Sequence, residues 1–183
     1  MNIRKVVAGA AAAAILTFTA AASTTPASAA ISSEHTRSHR TAVFENVAPG
    51  TIVVSVSQRR LFLVQNDGST ISYPVAVPKH GKEWFGVTSI REKFTNPDWT
   101  PPTDVRADHP ELPDVIPGGA PNNPMGTRAM LLDGDQVAIH GTTNKMRASI
   151  GTAASYGCIR MRNEDVTDLF ERVSVGTTVI MQP

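Results

Sequence analysis

Eight prolines fall between positions 97 and 124, at 97, 101, 102, 110, 113, 117, 121 and 124, with Gly118-Gly119 among them. Proline lacks a backbone donor and restricts the residue before it, so regular helix is not expected in this stretch. Residues 95–127 therefore divide the chain. A long irregular segment inside a compact domain is either disordered or functional. This one carries Trp99, Val115, Ile116 and Met125, too many apolar groups for a plain linker. It is expected to be an ordered loop that covers a site.

The sequence before the loop reads as strands. Residues 51–56, 60–65 and 70–77 are rich in β-formers, and Asn66-Asp67-Gly68-Ser69 between the last two signals a hairpin turn. Residues 84–90 suit a further strand. After the loop, residues 136–140 and 157–161 read as short strands and residues 177–181 as a last one. One helix is clear between them. Asn163 is placed to cap it, Glu164 and Asp165 suit its positive first turn, and Gly176 can end it. Val166, Leu169, Phe170 and Val173 share one face at helical spacing. The expected fold is mostly β with one clear helix.

The first thirty residues read as an address. Arg4 and Lys5 precede an apolar, Ala-rich run, and Ala27-Ser28-Ala29 has the form of a cleavage site. A spanning helix needs ~20 apolar residues, and this run is shorter and ends at that site. No Cys follows it, which argues against a lipoprotein anchor. The expected layout is a signal peptide at 1–30, a flexible lead-in at 31–48, and one catalytic domain at 49–183. The polar lead-in holds His35 and His39; a solvated tail is the simpler reading than metal binding. About 150 residues then remain, enough for a single core. A net charge of +1 suggests no nucleic-acid partner.

Cys158 is the only cysteine, so no intramolecular disulfide can form. A lone thiol in an exported chain invites either a partner or a reactive role; the competing reading is a small buried hydrophobe. Gly157 beside it permits backbone shapes that other residues resist, so the turn could present a thiol and aim N–H groups at an oxyanion. His140 ends a predicted strand and could serve as base and then acid, since the thiolate is the reactive form. Taken alone, one Cys and one His leave catalysis and a structural cysteine nearly level. Other chemistry has weaker support: His80 and His109 lack metal-ligand spacing, and no zinc pair, P-loop, dinucleotide fingerprint or serine elbow is present.

Ile139-His140-Gly141-Thr142, followed by Ser155-Tyr156-Gly157-Cys158-Ile159-Arg160-Met161, resembles the signature of the L,D-transpeptidase (YkuD) catalytic domain. Asn163-Glu164-Asp165-Val166, Asp168-Leu169 and Val175-Gly176-Thr177 resemble the segment after the nucleophile. Trp84-Phe85-Gly86, Lys93, Pro97, Trp99, Pro101-Pro102, Gly118-Gly119 and Asn123-Pro124-Met125-Gly126 resemble a branch common in alphaproteobacteria. The likeness runs from about residue 50 to 182. One position departs: most of the family has His before the Gly-Cys pair, where this chain has Tyr156.

The resemblance implies a β-sandwich-like catalytic domain with a long irregular lid, acting on peptidoglycan stem peptides in the periplasm or cell wall. Cys158 would attack the carbonyl of the third residue of a tetrapeptide stem. D-alanine would leave, a thioester would form, and an amine of a second stem would make a 3–3 cross-link. His140 would carry all the acid-base work, oriented by the Gly141 main chain, with the N–H groups of Gly157 and Cys158 facing the oxyanion. No metal or organic cofactor is implied, and carbapenems should acylate the same thiol. Arg160 suits a stem carboxylate, against a surface salt bridge. Trp84 and Trp99 could line the groove or the core. Ser155 could bond near the pocket or form the turn, and Tyr156 could donate a hydrogen bond or wall the pocket. With water as acceptor the chain would be an L,D-carboxypeptidase; with a protein amine it would tether an envelope protein to the wall. An inactive wall-binding module is the reading from another class, and a Cys protease lacks its local signatures. No stable membrane span is expected after signal cleavage.

Overall fold

The computed structural model describes residue 44, residues 46–134 and residues 137–183. The expected signal peptide, most of the expected lead-in and the first residue of the strand expected at 136–140 lie outside these. No described helix is long and apolar enough to cross a membrane.

Among the described residues, ten strands and two α-helices follow in chain order: β1 (Ile52–Ser55), β2 (Arg60–Val64), β3 (Thr70–Pro74), β4 (Val77–Pro78), β5 (Gly86–Thr95), α1 (Thr103–Asp108), β6 (Arg128–Leu132), β7 (Ala138–His140), β8 (Ala153–Ser155), β9 (Ile159–Arg160), α2 (Asn163–Arg172) and β10 (Thr178–Gln182). Eight strands form one sheet in the order β3-β2-β1-β10-β5-β6-β7-β9, and β4 pairs with β8 apart from it. The pairs β1/β10, β7/β9 and β4/β8 are parallel.

The hairpin expected around Asp67-Gly68 is β2–β3, antiparallel with Leu63 opposite Ile71. Side chains alternate with the pleat. Ile52, Val54, Leu61 and Leu63 enter the main core, whereas Val53, Phe62 and Val64 form a second cluster on the other face. Phe44 packs edge-on against Phe62 with centroids 5.3 Å apart, and Val47 joins that cluster. Ordered packing thus begins before residue 49, inside the expected lead-in.

β5 links the two ends of the sheet. Its first residues pair with β10 and its last with β6, with a register shift between Ile90 and Glu92. Such an irregularity bends a strand and increases its twist. The main core accordingly takes Ile90, Met130, Leu132, Ile139 and Ile159 together with Ile52, Leu61 and Val179. The sandwich-like character expected from the resemblance arises from one sheet bent around one core.

α2 closes that core with Val166, Leu169 and Val173, and Phe170 packs at its edge. Its end differs from expectation. The helix stops at Arg172, and the Lys93 ammonium donates to the carbonyls of Phe170 (2.6 Å) and Val173 (2.5 Å). A cation there satisfies carbonyls left open at a helix C-terminus. Gly176 lies beyond, in the turn into β10. The N-terminus also differs: Arg162 occupies the capping position without a side-chain cap, and Asn163 is the first helical residue.

The Pro-rich segment is ordered and internally stapled. Trp99 and Ile116 exchange backbone bonds of 2.9 and 2.8 Å. The buried Asn123 amide donates to the carbonyls of Pro97, Ile116 and Pro117, and its oxygen accepts the Met125 N–H at 2.9 Å. One short helix, α1, occupies the proline-free run after Pro102. The segment packs on the sheet face opposite the main core. There Trp99 and Met125 meet Ala129, Leu131, Ala138 and Cys158.

Candidate active site

β7 and β9 run parallel, with Ile139 opposite Ile159 and His140 opposite Arg160. Ile139 and Ile159 are fully buried in the main core. Because faces alternate along a strand, Ala138, His140, Cys158 and Arg160 share the other face. Cys158 sits one place before β9, diagonal to His140. Diagonal neighbours across strands lie roughly 7–8 Å apart at the backbone, a gap that an imidazole and a thiol leaning together can close.

His140 is buried, at 4% exposure. Its Nδ1 lies 3.1 Å from the Pro124 carbonyl oxygen. A carbonyl only accepts, so this contact places the proton on Nδ1 and leaves the Nε2 lone pair for another partner. Burial pushes the imidazole down to about 4; the positive Arg160 adds to this, and the carbonyls of Gly141 and Pro124 oppose it. Beside the expected Gly141 main chain, the Pro124 carbonyl on the covering segment is a second orienting group.

Cys158 is partly exposed. Burial among apolar neighbours pushes its thiol up, while the Ala138 main chain and Arg160 pull it down. Burial thus opposes charge on both groups, the imidazolium and the thiolate alike.

Arg160 is half-buried, and its Nη1 donates to Ser149 Oγ at 2.8 Å. Burial lowers its pKa, and an ionised Cys158 opposes this. Among the described residues no carboxylate pairs with it, so the surface salt bridge weighed from sequence is not what this side chain makes.

The turn before Cys158 is built by Ser155. Its hydroxyl donates to the Cys158 carbonyl at 2.5 Å and accepts the Gly157 N–H at 3.3 Å. Gly157 has φ +133, open only to glycine at low cost. The Gly157 N–H, expected at the oxyanion, is thus turned towards Ser155. Trp84 packs on the main core and its Nε1 donates to the Gly157 carbonyl at 3.0 Å. Trp99 and Cys158 both pack against the small cluster of Met125, Ala129 and Ala138.

Tyr156 faces α1. Its hydroxyl donates to Asp108 at 2.5 Å, and the Lys79 ammonium lies 3.6 Å over its ring and 4.0 Å from the same carboxylate. Lys82 pairs with Asp104, one turn earlier on α1. Tyr156 therefore ties the covering segment down.

Two participants were not read as site residues from the sequence. Pro124 acts through its carbonyl, which every residue possesses. Asn163 was assigned to helix capping, yet its carboxamide bonds to Thr127 and Thr142.

The model of the L,D-transpeptidase catalytic domain, the YkuD family, matches residues 49–181. The probable L,D-transpeptidase ErfK/SrfK of Escherichia coli K12 is 39% identical over 137 residues, 70% of this chain and 42% of that protein. The probable L,D-transpeptidase YbiS of the same strain is 36% identical over 143 residues, 74% of this chain and 45% of that one. The chain thus spans less than half the length of these relatives. An L,D-transpeptidase from Mycobacterium smegmatis superposes with a TM-score of 0.58 at 16% identity, over 73% of this chain and 58% of that one, and so shares its fold. Matched across most of its length by the family model and by these relatives, the chain belongs to the L,D-transpeptidase catalytic-domain family.

Proposed function

We propose that this chain is a cysteine-dependent peptidoglycan L,D-transpeptidase, exported to the periplasm or cell wall by a signal peptide at residues 1–30, with Cys158 as nucleophile and His140 as the single proton carrier. The observation that carries this reading is the pairing of β7 with β9, which sets both side chains on one face, with Nδ1 of the imidazole engaged by Pro124.

Nε2 of neutral His140 takes the Cys158 thiol proton as Sγ bonds to the carbonyl carbon of the third stem residue. The resulting oxyanion is met by the Cys158 N–H; because the Gly157 N–H turns to Ser155, the main-chain contribution is narrower than two adjacent donors. Collapse breaks the C–N bond, and imidazolium returns the proton to the departing D-alanine amine. The thioester is then attacked by an amine of a second stem, which gives its proton to Nε2. Sulfur leaves and recovers that proton, and a 3–3 cross-link remains. Arg160, a half-buried cation with no described carboxylate partner, is suited to a stem carboxylate beside the reacting carbonyl.

The test is direct. Purified protein is incubated with disaccharide-tetrapeptide and the products are read by mass spectrometry. A cross-linked dimer is the expected result. Tripeptide alone would make it an L,D-carboxypeptidase. Disaccharide-tripeptide joined to an added envelope protein, without dimer, would identify a protein acceptor. Unchanged substrate, with no thiol adduct after carbapenem, would leave an inactive wall-binding module.

A further inference from the structure

We propose that Asn163 is a positioning residue: its carboxamide clamps the strand end that carries His140 to the loop that carries the Pro124 carbonyl, and so sets the orientation and tautomer of the imidazole. This deepens the function proposed above and rests on its reading of His140 as the proton carrier.

Three bonds make the clamp. Asn163 Oδ1 accepts the N–H of Thr142 at 3.0 Å and of Thr127 at 3.3 Å, and Nδ2 donates to the Thr142 carbonyl at 2.9 Å. Thr142 follows His140 by two residues, and Thr127 follows Pro124 by three. Both halves of the His140–Pro124 contact are thus held through one side chain. The backbones meet closely around it. A Cβ built on Gly126 or on Gly141 would stand 2.2 Å from Asn163 Oδ1, and the one on Gly126 also 2.4 Å from the Thr142 nitrogen. Only glycine leaves room for the carboxamide at either place.

Helix capping does not explain the side chain. A capping oxygen accepts an N–H from the first turn of its own helix, whereas the Asn163 side chain bonds to Thr127 and Thr142. Its bonds instead reach back 21 and 36 residues. Nor would a plain acceptor suffice: Thr142 presents both an N–H and a carbonyl, and a carboxamide matches them with one acceptor and one donor. Aspartate at this position would set an oxygen against the Thr142 carbonyl.

The test uses full-length protein labelled with 15N in its histidine rings. In the wild type, His140 should hold its proton on Nδ1 as a single tautomer. In Asn163→Ala, and to a lesser degree in Asn163→Asp, the tautomers should mix and the acid limb of kcat/KM should move. In Asn163→Ala kcat should fall on the order of 100-fold, as a displacement near 1 Å can cause, with KM little changed. Thermal melting of each variant separates this from unfolding, and Asn163→Asp serves if Asn163→Ala does not fold. A wild-type proton on Nε2 would overturn the proposal, as would variants with unaltered tautomer and pH profile. A tautomer change in a protein that forms no cross-link would support the clamp and reject the transpeptidase reading.

Discussion

His140 Nδ1 lies 3.1 Å from the carbonyl oxygen of Pro124, sixteen residues earlier on the segment that covers the site. The covering segment is therefore part of the machinery that orients the imidazole. Changes within it should reach the chemistry without touching the thiol.

The first consequence concerns pH. Burial holds the His140 imidazole down at about 4, against an ordinary value of 6.5. Between those values the unfolded chain binds a proton that the native protein refuses. The contribution of neutral His140 to stability is complete above pH 6.5 and is lost as pH falls through 4, a change of up to about 3 kcal/mol at roughly 1.4 kcal/mol per pKa unit. Thermal melting from pH 4 to 8 should show this slope, and His140→Gln should flatten it. The acid limb of kcat/KM should lie near pH 4, because the neutral ring accepts the thiol proton. An acid limb at 6.5 would contradict the buried, neutral imidazole.

Arg160 acts on both groups. Its charge lowers the His140 and the Cys158 pKa values, so Arg160→Gln should raise both. The acid limb should move to higher pH, and the thiol should react more slowly with a neutral alkylating agent at pH 8. Loss of a stem carboxylate contact should raise KM by about tenfold or more, as expected for a charge-assisted bond. Unchanged KM would remove Arg160 from substrate binding.

Tyr156 holds α1 through Asp108 at 2.5 Å. Tyr156→Phe keeps the ring beneath Lys79 and removes that bond. Hydrogen exchange across residues 103–112 should become faster while the core strands keep their protection. Exchange unchanged in that stretch would show that the Lys82–Asp104 pair holds the helix by itself.

Asn123 is 2% exposed and makes three donor contacts and one acceptor contact within the covering segment. Asn123→Ala removes the side-chain partner of the Pro97 carbonyl and of the Met125 N–H, at a cost of roughly 1–3 kcal/mol each if unrelieved, while the Ile116 and Pro117 carbonyls keep the N–H groups of Trp99 and Ala120. A lower Tm and proteolytic nicking between residues 97 and 124 are expected, read by melting and by peptide mapping.

The sequence carried the strands whose patterns come from packing. Ile52, Val54, Leu61 and Leu63 alternate because one face of the sheet is core, and the α2 face follows from Val166, Leu169 and Val173 for the same reason. β6 escaped notice because Arg128–Leu132 follows the Pro-rich stretch without its own turn signal, and its sequence, RAMLL, has little β-branched character. α1 was hidden among prolines, although none falls within Thr103–Asp108. At the site, Cys158 and His140 were legible as types of reactive side chain. Pro124 was not, because its contribution is a carbonyl. Asn163 stood in a position that suits a cap, and only tertiary contacts redirect its carboxamide to Thr127 and Thr142. The orientation of the Gly157 N–H likewise depends on where the Ser155 hydroxyl turns.

The most direct test compares wild type, Cys158→Ala and His140→Ala on disaccharide-tetrapeptide, with folding of each checked by melting and products read by mass spectrometry. We expect 3–3 dimer from the wild type alone, and no thioester adduct in either variant. Dimer formed at the wild-type rate by folded His140→Ala, or any dimer from Cys158→Ala, would contradict the pairing of this thiol with this imidazole.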